Sequence, residues 1–400
     1  MKEPVEWEGA LSLLEEIVTP LTPKKIPLAE AAGLVLAEEI ISPVPFPPFP
    51  RSRVDGYALG PFSGESYCLV GEVPAGKSYP HPLGPGEAVR IFTGAPVPEG
   101  SLGILPQEWA REEEGRLYLA FGADACVLAS LIQKVGEEIE PGEKVLKTGM
   151  PLTPAEIGLL AALGFKEVMV HPKPKVALIA LGSELGDVGE RRENTVPSSN
   201  LFALEAGLKL DGVKVCCLPS VPDDLDRVTS SIKEMVNSVD LIITSGGTGE
   251  GKYDLTARAF LEAGAEILFT RVNFRPGGRV IMASTGSRFL VGLPGTPSAA
   301  LVAFHLLVRP LIRALAGKKL RPYIWKGVLA EQVEKERRKR VFHYACARNR
   351  DGIWELTPVN LKESPLKAGV GANALLDLPA GKSPIPKNVE LNFLLLNYDF

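Results

Sequence analysis

The sequence predicts a multidomain α/β protein. Its centre is a doubly wound, mostly parallel sheet domain, preceded by helical pieces with a small all-β module inserted between them and followed by a compact terminal β-unit, a small barrel or sandwich. Strand-like and helix-like segments alternate from Lys173 to Leu315, the pattern of a parallel sheet with helices on both faces. Short strands broken by Gly-Pro turns fill Arg51 to Ala129, and alternating strands without helical periodicity follow Leu320. The chain has 400 residues, too many for one core at roughly 150 residues per domain.

The elements follow in order. Leu11, Leu14, Ile17 and Val18 recur at helical spacing and predict an amphipathic helix from Trp7 to Pro20. A second helix is expected over Leu28 to Ile40. The run Pro43 to Pro50, PVPFPPFP, permits neither helix nor central strand and reads as an extended, exposed connector. Helix returns at Pro154 to Leu163, closed by Gly164. KVALIALG, VKVCCLP, DLIITSGG, RVIMA and RFLVGLPG read as strands. Ser199 to Lys209, Asp224 to Val236, Leu255 to Ala263 and Pro297 to Leu315 read as helices. WKGVLAE, RVFHYACARNRDGIWELTPV, ANALLDLP and VELNFLLL make the terminal β-unit.

Composition excludes several classes. Hydrophobic residues make up 45% and charged residues 23%, a globular balance. Forty-four basic and forty-eight acidic residues leave a formal charge of -4, which speaks against a nucleic-acid partner. The acidic N-terminus is no secretory signal, and no stretch approaches the ~18 uninterrupted apolar residues of a membrane span. Five scattered cysteines and four dispersed histidines offer neither a zinc clamp nor a disulfide framework. A cytoplasmic setting is the expectation.

In an open parallel sheet, ligands bind where strand C-termini run into helix N-termini. Three loops occupy that position. Gly182-Ser183-Glu184 puts a carboxylate beside the crevice, where it could bind a cation, act as a base or remain a solvated charge. Ser245 to Asp254, SGGTGEGKYD, lets backbone amides approach an anion closely, although its glycines could equally serve turn geometry. Its spacing matches neither the P-loop nor the dinucleotide fingerprint, and Asp254 could simply cap a helix. Gly292 to Ala300 places Thr296 to cap and Pro297 at the first helical position. Upstream, Arg271, Arg275 and Arg279 form a cluster suited to phosphate. Asp223-Asp224 precedes a helix and reads first as capping, and Glu334 to Arg340 reads first as a solvated charged face. The histidines His81, His171, His305 and His343 read as structural.

Several strings together resemble the molybdopterin molybdenumtransferase family (MoeA), which includes the C-terminal domain of gephyrin. They are VDGYA (Val54 to Ala58), RIFTGAPVPEG (Arg90 to Gly100), GSEL (Gly182 to Leu185), PDD (Pro222 to Asp224), SGGTGEGKYD and GLPGTP. They stand in the family's order, and near the C-terminus ANALLDLP also looks like the family's last domain, so that the match covers essentially the whole chain. The resemblance implies an elongated first domain over 1–45 and 130–172, an inserted β domain over 46–129, a molybdopterin-binding domain over 173–318 and a barrel over 319–400. It implies a homodimer with the cleft between the α/β domain of one subunit and the inserted domain of the other. It also implies insertion of molybdate into adenylylated molybdopterin with Mg²⁺-assisted release of AMP, and a molybdopterin adenylyltransferase as a possible partner.

By the same resemblance the catalytic acids are Asp55, Glu184, Asp223 and Asp254, with Glu184, Asp223 and Asp254 as metal ligands. The ligand-binding set is Thr93, Gly182, Ser183, Ser245, Gly246, Gly247, Thr248, Gly251, Arg271, Arg275, Gly295, Thr296, Pro297 and Ser298. The chain departs from the family at several of these. Arg271 and Arg275 replace a lysine pair, GGTGEG replaces GGVSVG, and Thr296 stands in PGTP where the family has PGNP. Pro197-Ser198-Ser199-Asn200 replaces Tyr-Asp-Ser-Asn. A non-catalytic carrier of molybdopterin and a tungstate-inserting variant remain as alternatives.

Overall fold

The computed structural model describes residues 4–61, 65–119, 124–186, 188–189, 193–248, 255–335, 338–359, 366–381 and 383–396. The chain divides into two compact units. One comprises Met1–Lys24 with Met169–Phe400, the other Lys25–Val168.

In the first unit, helix α1 (Trp7–Ile17) buries Trp7, Ala10, Leu11 and Leu14 along one face, and the indole of Trp7 donates to the carbonyl of Leu306 at 3.0 Å.

The second unit is centred on β1 (Gly56–Leu59), β2 (Tyr67–Val73), β3 (Glu87–Ile91), β4 (Gly103–Pro106), β5 (Ala110–Glu113) and β6 (Arg116–Leu119), in the order β4-β1-β3-β2-β6-β5. Alternation along β1 sends Tyr57 and Leu59 into one apolar cluster and Ala58 into another, as the two-residue period of a strand requires. Helix α2 (Pro154–Ala162) starts at a capping box of Thr153 and Glu156 and is followed by Gly164 at φ +83°.

The expected helix over Leu28 to Ile40 does not form. The segment holds a 3₁₀ turn, Leu28–Glu30, and two short strands, Val35–Leu36 and Ile40–Ile41. Gly33 sits at φ +78°, outside helical space. The amides of Gly33 and Leu36 donate to Leu152 and Met150 at 2.8 and 2.9 Å. Long-range pairing thus outcompetes a helix already weakened by a central glycine. The proline connector is extended but only partly exposed. Phe46 lies under the Arg51 guanidinium at 5.1 Å, Pro47 is buried, and Phe49 stays 41% exposed.

Returning to the first unit, the chain alternates β7 (Lys175–Ala180), α3 (Ser199–Leu210), β8 (Lys214–Cys217), α4 (Leu225–Met235), β9 (Leu241–Ser245) and α5 (Leu255–Glu262). It continues through β10 (Glu266–Phe269), β11 (Ile281–Thr285), β12 (Arg288–Leu293) and the helical run α6 (Pro297–Leu315). The sheet order is β8-β7-β9-β12-β11-β10. The first four strands are parallel, and β11 and β10 extend the sheet antiparallel. Apolar clusters cover both faces. The run α6 is long and apolar enough to cross a membrane, yet 72% of it is buried inside the fold, where it serves as the core helix; a π turn interrupts it at Phe304–Val308.

Five strands close the barrel. They are β13 (Trp325–Leu329), β14 (Val341–Arg350), β15 (Ile353–Pro358), β16 (Ala374–Leu378) and β17 (Glu390–Leu395), in the order β13-β15-β14-β16-β17. Ala345, Ala347, Leu356, Leu376 and Phe393 fill it. On the other face of β14, Phe342 and Tyr344 join the core of the α/β sheet.

Candidate functional site at the strand C-termini

The register of the parallel strands builds the site. Ala180 pairs with Ser245, and Ser245 with Leu293, so three strands end side by side and their loops leave together. Backbone bonds extend the order beyond the ends. Leu181 donates to Ser245 at 2.8 Å, Gly182 to Val221 at 3.1 Å and Gly246 to Leu293 at 3.0 Å. Gly246 stands at φ +103°, where an added Cβ would lie 2.2 Å from the Leu181 carbonyl oxygen. Only glycine permits that approach.

The cleft above these ends measures about 840 Å³. Gly182, Glu184 and Asp223 line one side of it, and Gly246, Gly247 and Thr248 another. Ser245, Gly295, Thr296 and Pro297 close the third. Ser183 and Asp223 bond reciprocally. The amide of Ser183 donates to the Asp223 carboxylate at 3.2 Å, and the amide of Asp223 donates to the Ser183 hydroxyl at 3.1 Å. Asp224 caps α4 by accepting from the Arg227 amide at 3.0 Å, so capping accounts for one acid of the pair and leaves Asp223 for the cleft.

Thr296 occupies the N-cap position of α6 but makes no side-chain cap bond, contrary to expectation. Pro297 at the first helical position removes one amide, and the Thr296 carbonyl already accepts from Ala300 at 2.9 Å. The first-turn amides therefore lack a hydroxyl partner from Thr296.

A second cavity, of about 900 Å³, adjoins the first and shares Arg279, Pro294 and Thr296 with it. Arg271, Arg275, Arg279, Lys335 and Lys339 line it, and no carboxylate among the described residues does. Ser298 lies on its wall. The arginine loop is fastened at both ends. Val5 donates to the Arg271 carbonyl at 3.1 Å, Arg275 donates to Arg340 at 2.9 Å, and Phe342 donates back to Arg275 at 2.7 Å. Arg340 itself forks onto Asp377 and Glu8 and stacks over Trp7 and Phe342. Within the run Glu334 to Arg340, Glu334 and Arg338 are exposed as a solvated face requires, whereas Lys335, Lys339 and Arg340 are half-buried. Its lysines line a cavity and its last arginine is a structural hub.

Asp55 and Thr93 belong to the other unit. Both the amide and the hydroxyl of Thr93 donate to Asp55 Oδ1 at 2.7 Å, and these bonds hold the carboxyl below its usual range. Asp254 and Gly251 lie outside the described residues. Among the described residues no group of three His, Cys, Asp or Glu side chains could hold a metal.

Two family models match the chain: the MoeA N-terminal region (domain I and II) over residues 5–164, and a probable molybdopterin binding domain over residues 177–314. The molybdopterin molybdenumtransferase of Bacillus subtilis is 32% identical over 369 residues, covering 89% of this chain and 86% of its own. The chain belongs to the molybdopterin molybdenumtransferase family. A family member from Mycobacterium tuberculosis, molybdopterin molybdenumtransferase 2, is 31% identical across 92% of this chain and 93% of its own length. The solved molybdopterin biosynthesis MoeA protein of Pyrococcus horikosii matches at a TM-score of 0.81 and 27% identity, covering 99% of this chain and 100% of that one.

In this member of the molybdopterin molybdenumtransferase family, several residues lining the two cavities carry little motif signal. Lys335 and Lys339 line the basic cavity but sat inside a charge run. Asn200 lines the cleft and was legible only as the last residue of a divergent string. Its amide donates to the Ser245 hydroxyl at 2.9 Å and to the Gly295 carbonyl at 2.7 Å.

Proposed function

We propose that this transferase of molybdenum cofactor biosynthesis inserts molybdate into adenylylated molybdopterin and releases AMP. The observation that carries the reading is the meeting of an acidic cleft and a basic cavity at Thr296. A phosphoanhydride ligand needs both: cations to bind its anionic groups, and a carboxylate to direct the nucleophile.

Arg271, Arg275 and Arg279 bind the anionic groups and the oxyanion. The ring and the phosphates are bounded by Gly246, Gly247 and Thr248, whose backbone can approach closely. Glu184 orients a water and takes its proton as the water oxygen bonds to one phosphorus of the anhydride; the bridging P–O bond breaks, and AMP and the molybdopterin phosphate separate. Asp223, held by Ser183, keeps its charge aimed into the cleft. The donor set fits Mg²⁺: it is all oxygen, and that ion is commonly held by one or two carboxylates plus substrate phosphates. Glu184 and Asp223 would hold it, with Asp254 as third acid, and it would supply charge neutralisation at the leaving phosphate.

The same proposal takes Asp55 as a further catalytic acid, the assembly as a cytoplasmic homodimer and an adenylyltransferase as the source of the substrate. It divides the chain into four parts, 1–45 with 130–172, 46–129, 173–318 and 319–400. The test is turnover by the purified full chain with adenylylated molybdopterin, molybdate or tungstate, and Mg²⁺. Oxyanion-dependent AMP release supports the reading. Tight binding without AMP release would make the protein a carrier.

A further inference from the structure

The stretch that carries the arginines of the basic cavity alternates along its length. Arg271 is half-buried and Asn273 and Arg275 are exposed, whereas Val272 and Phe274 are buried in the core of the α/β sheet. A period of two makes register decisive, because a slip of one residue would turn both arginines into that core. Two flanking segments pin it. On one side Arg275 forms a parallel bridge with Val341 of β14. On the other, Val272 forms a parallel bridge with Val5. There the Val5 amide donates to the Arg271 carbonyl at 3.1 Å, and the Asn273 amide donates to the Val5 carbonyl at 2.7 Å. The side chains repeat the tie, with Asn273 Nδ2 donating to Glu6 Oε1 at 2.6 Å. The segment is itself anchored just beyond, at the start of α1. Trp7 meets Phe342 edge-on at 5.2 Å, and Glu8 accepts from the Arg340 guanidinium at 2.7 Å.

We propose that Val5 and Glu6 are positioning residues for anion binding, a clamp that sets the register of the arginine stretch. Neither lines the cavity, so neither touches the ligand. They act through the backbone on both sides of Val272 and so govern where Arg271 points. Arg275 is held separately, by its bridge to β14. The two arginines of one cavity therefore take their positions from different parts of the chain, and loosening the clamp disables Arg271 while sparing Arg275. The inference rests on the transferase reading for the role of the cavity as the grip on anionic groups.

The test titrates the full chain with molybdate and with AMP, neither of which requires turnover. Val5→Pro deletes the amide that bonds Arg271 and keeps an apolar side chain. Glu6→Ala and Glu6→Gln remove the same exposed charge, but only Gln keeps the acceptor for Asn273, so their difference isolates that hydrogen bond. Val5→Pro should bind one or both probes about three- to tenfold more weakly than wild type, and Glu6→Ala more weakly than Glu6→Gln in the same sense. Val5→Pro combined with Arg271→Ala should cost nothing further, whereas combined with Arg275→Ala the losses should add. A merely structural brace would lower the melting temperature and leave that asymmetry absent. Should Val5→Pro not fold, the Glu6 pair on the Arg271→Ala and Arg275→Ala backgrounds gives the same readout. Equal affinity of Glu6→Ala and Glu6→Gln, full additivity with Arg271→Ala, or no binding of either probe by wild type would overturn the assignment. Each of those results leaves the transferase reading standing, because that reading is decided by AMP release.

Discussion

Ser183 and Asp223 hold each other through two reciprocal hydrogen bonds, amide to carboxylate at 3.2 Å and amide to hydroxyl at 3.1 Å. One loop leaves β7 and the other precedes α4, so this pair joins the two sides of the acidic wall. Ser183→Ala removes the hydroxyl acceptor and frees the Asp223 loop. AMP release should fall on the order of tenfold, while the exposed pair leaves the melting temperature nearly unchanged. Parallel turnover and thermal melts check this, and an unaltered rate would separate Asp223 from the chemistry.

The basic cavity gives a contrast within one molecule. Arg275 lines it, whereas Arg338 is exposed. Arg275→Ala should weaken binding of the adenylylated pterin by roughly 1.5–3 kcal/mol, and Arg338→Ala by ~0–1 kcal/mol. Calorimetric titration of both variants reads the difference, and equal losses would remove the argument for an anion site.

Arg340 is a stability residue. Its side chain is 18% exposed and faces Asp377, itself 11% exposed, at 2.6 Å. Burial disfavours the guanidinium's charge, but the Asp377 and Glu8 carboxylates outweigh it and hold the group charged. Arg340→Met would strand the buried Asp377 carboxylate and should cost about 3–5 kcal/mol in chemical denaturation. A loss below about 1 kcal/mol would show the fork to be dispensable.

Acid should destabilise the core through His305. Burial, and secondarily Arg309, lowers its pKa from 6.5 to about 3. The native ring therefore stays neutral where the unfolded ring takes up a proton. Its contribution is complete above the unfolded value of 6.5 and is lost as pH falls from there toward 3, at about 1.4 kcal/mol per pH unit. His343, lowered chiefly by its burial, acts with the same sign. Denaturation midpoints between pH 7 and 5 should fall in wild type and fall less steeply in His305→Leu. Identical slopes would contradict the assignment.

Periodicity made the α/β sheet and the barrel legible, because Val-Ala-Leu-Ile runs between glycine-rich loops have few other folds. It failed at Leu28 to Ile40, where apolar spacing resembled a helix but carbonyls more than a hundred residues away took up the amides. The strand-end loops were legible as ligand positions from topology. The orientation of Asn200 was not, since it depends on the Ser245 hydroxyl and the Gly295 carbonyl. Nor was the role of Arg340, because a charge run in sequence does not disclose that Trp7, Glu8 and Asp377 converge on its last residue.

The most direct measurement is single-turnover AMP release by wild type, Glu184→Gln and Asp55→Asn, each with adenylylated molybdopterin, molybdate and Mg²⁺. Both substitutions are isosteric and remove one charge. Rates should be lowered on the order of 10²-fold or more, with affinity for the adenylate changed far less, because in the proposed site other loops bind the phosphates and rings. Wild-type protein that binds the adenylate yet releases no AMP with either molybdate or tungstate would contradict the transferase reading.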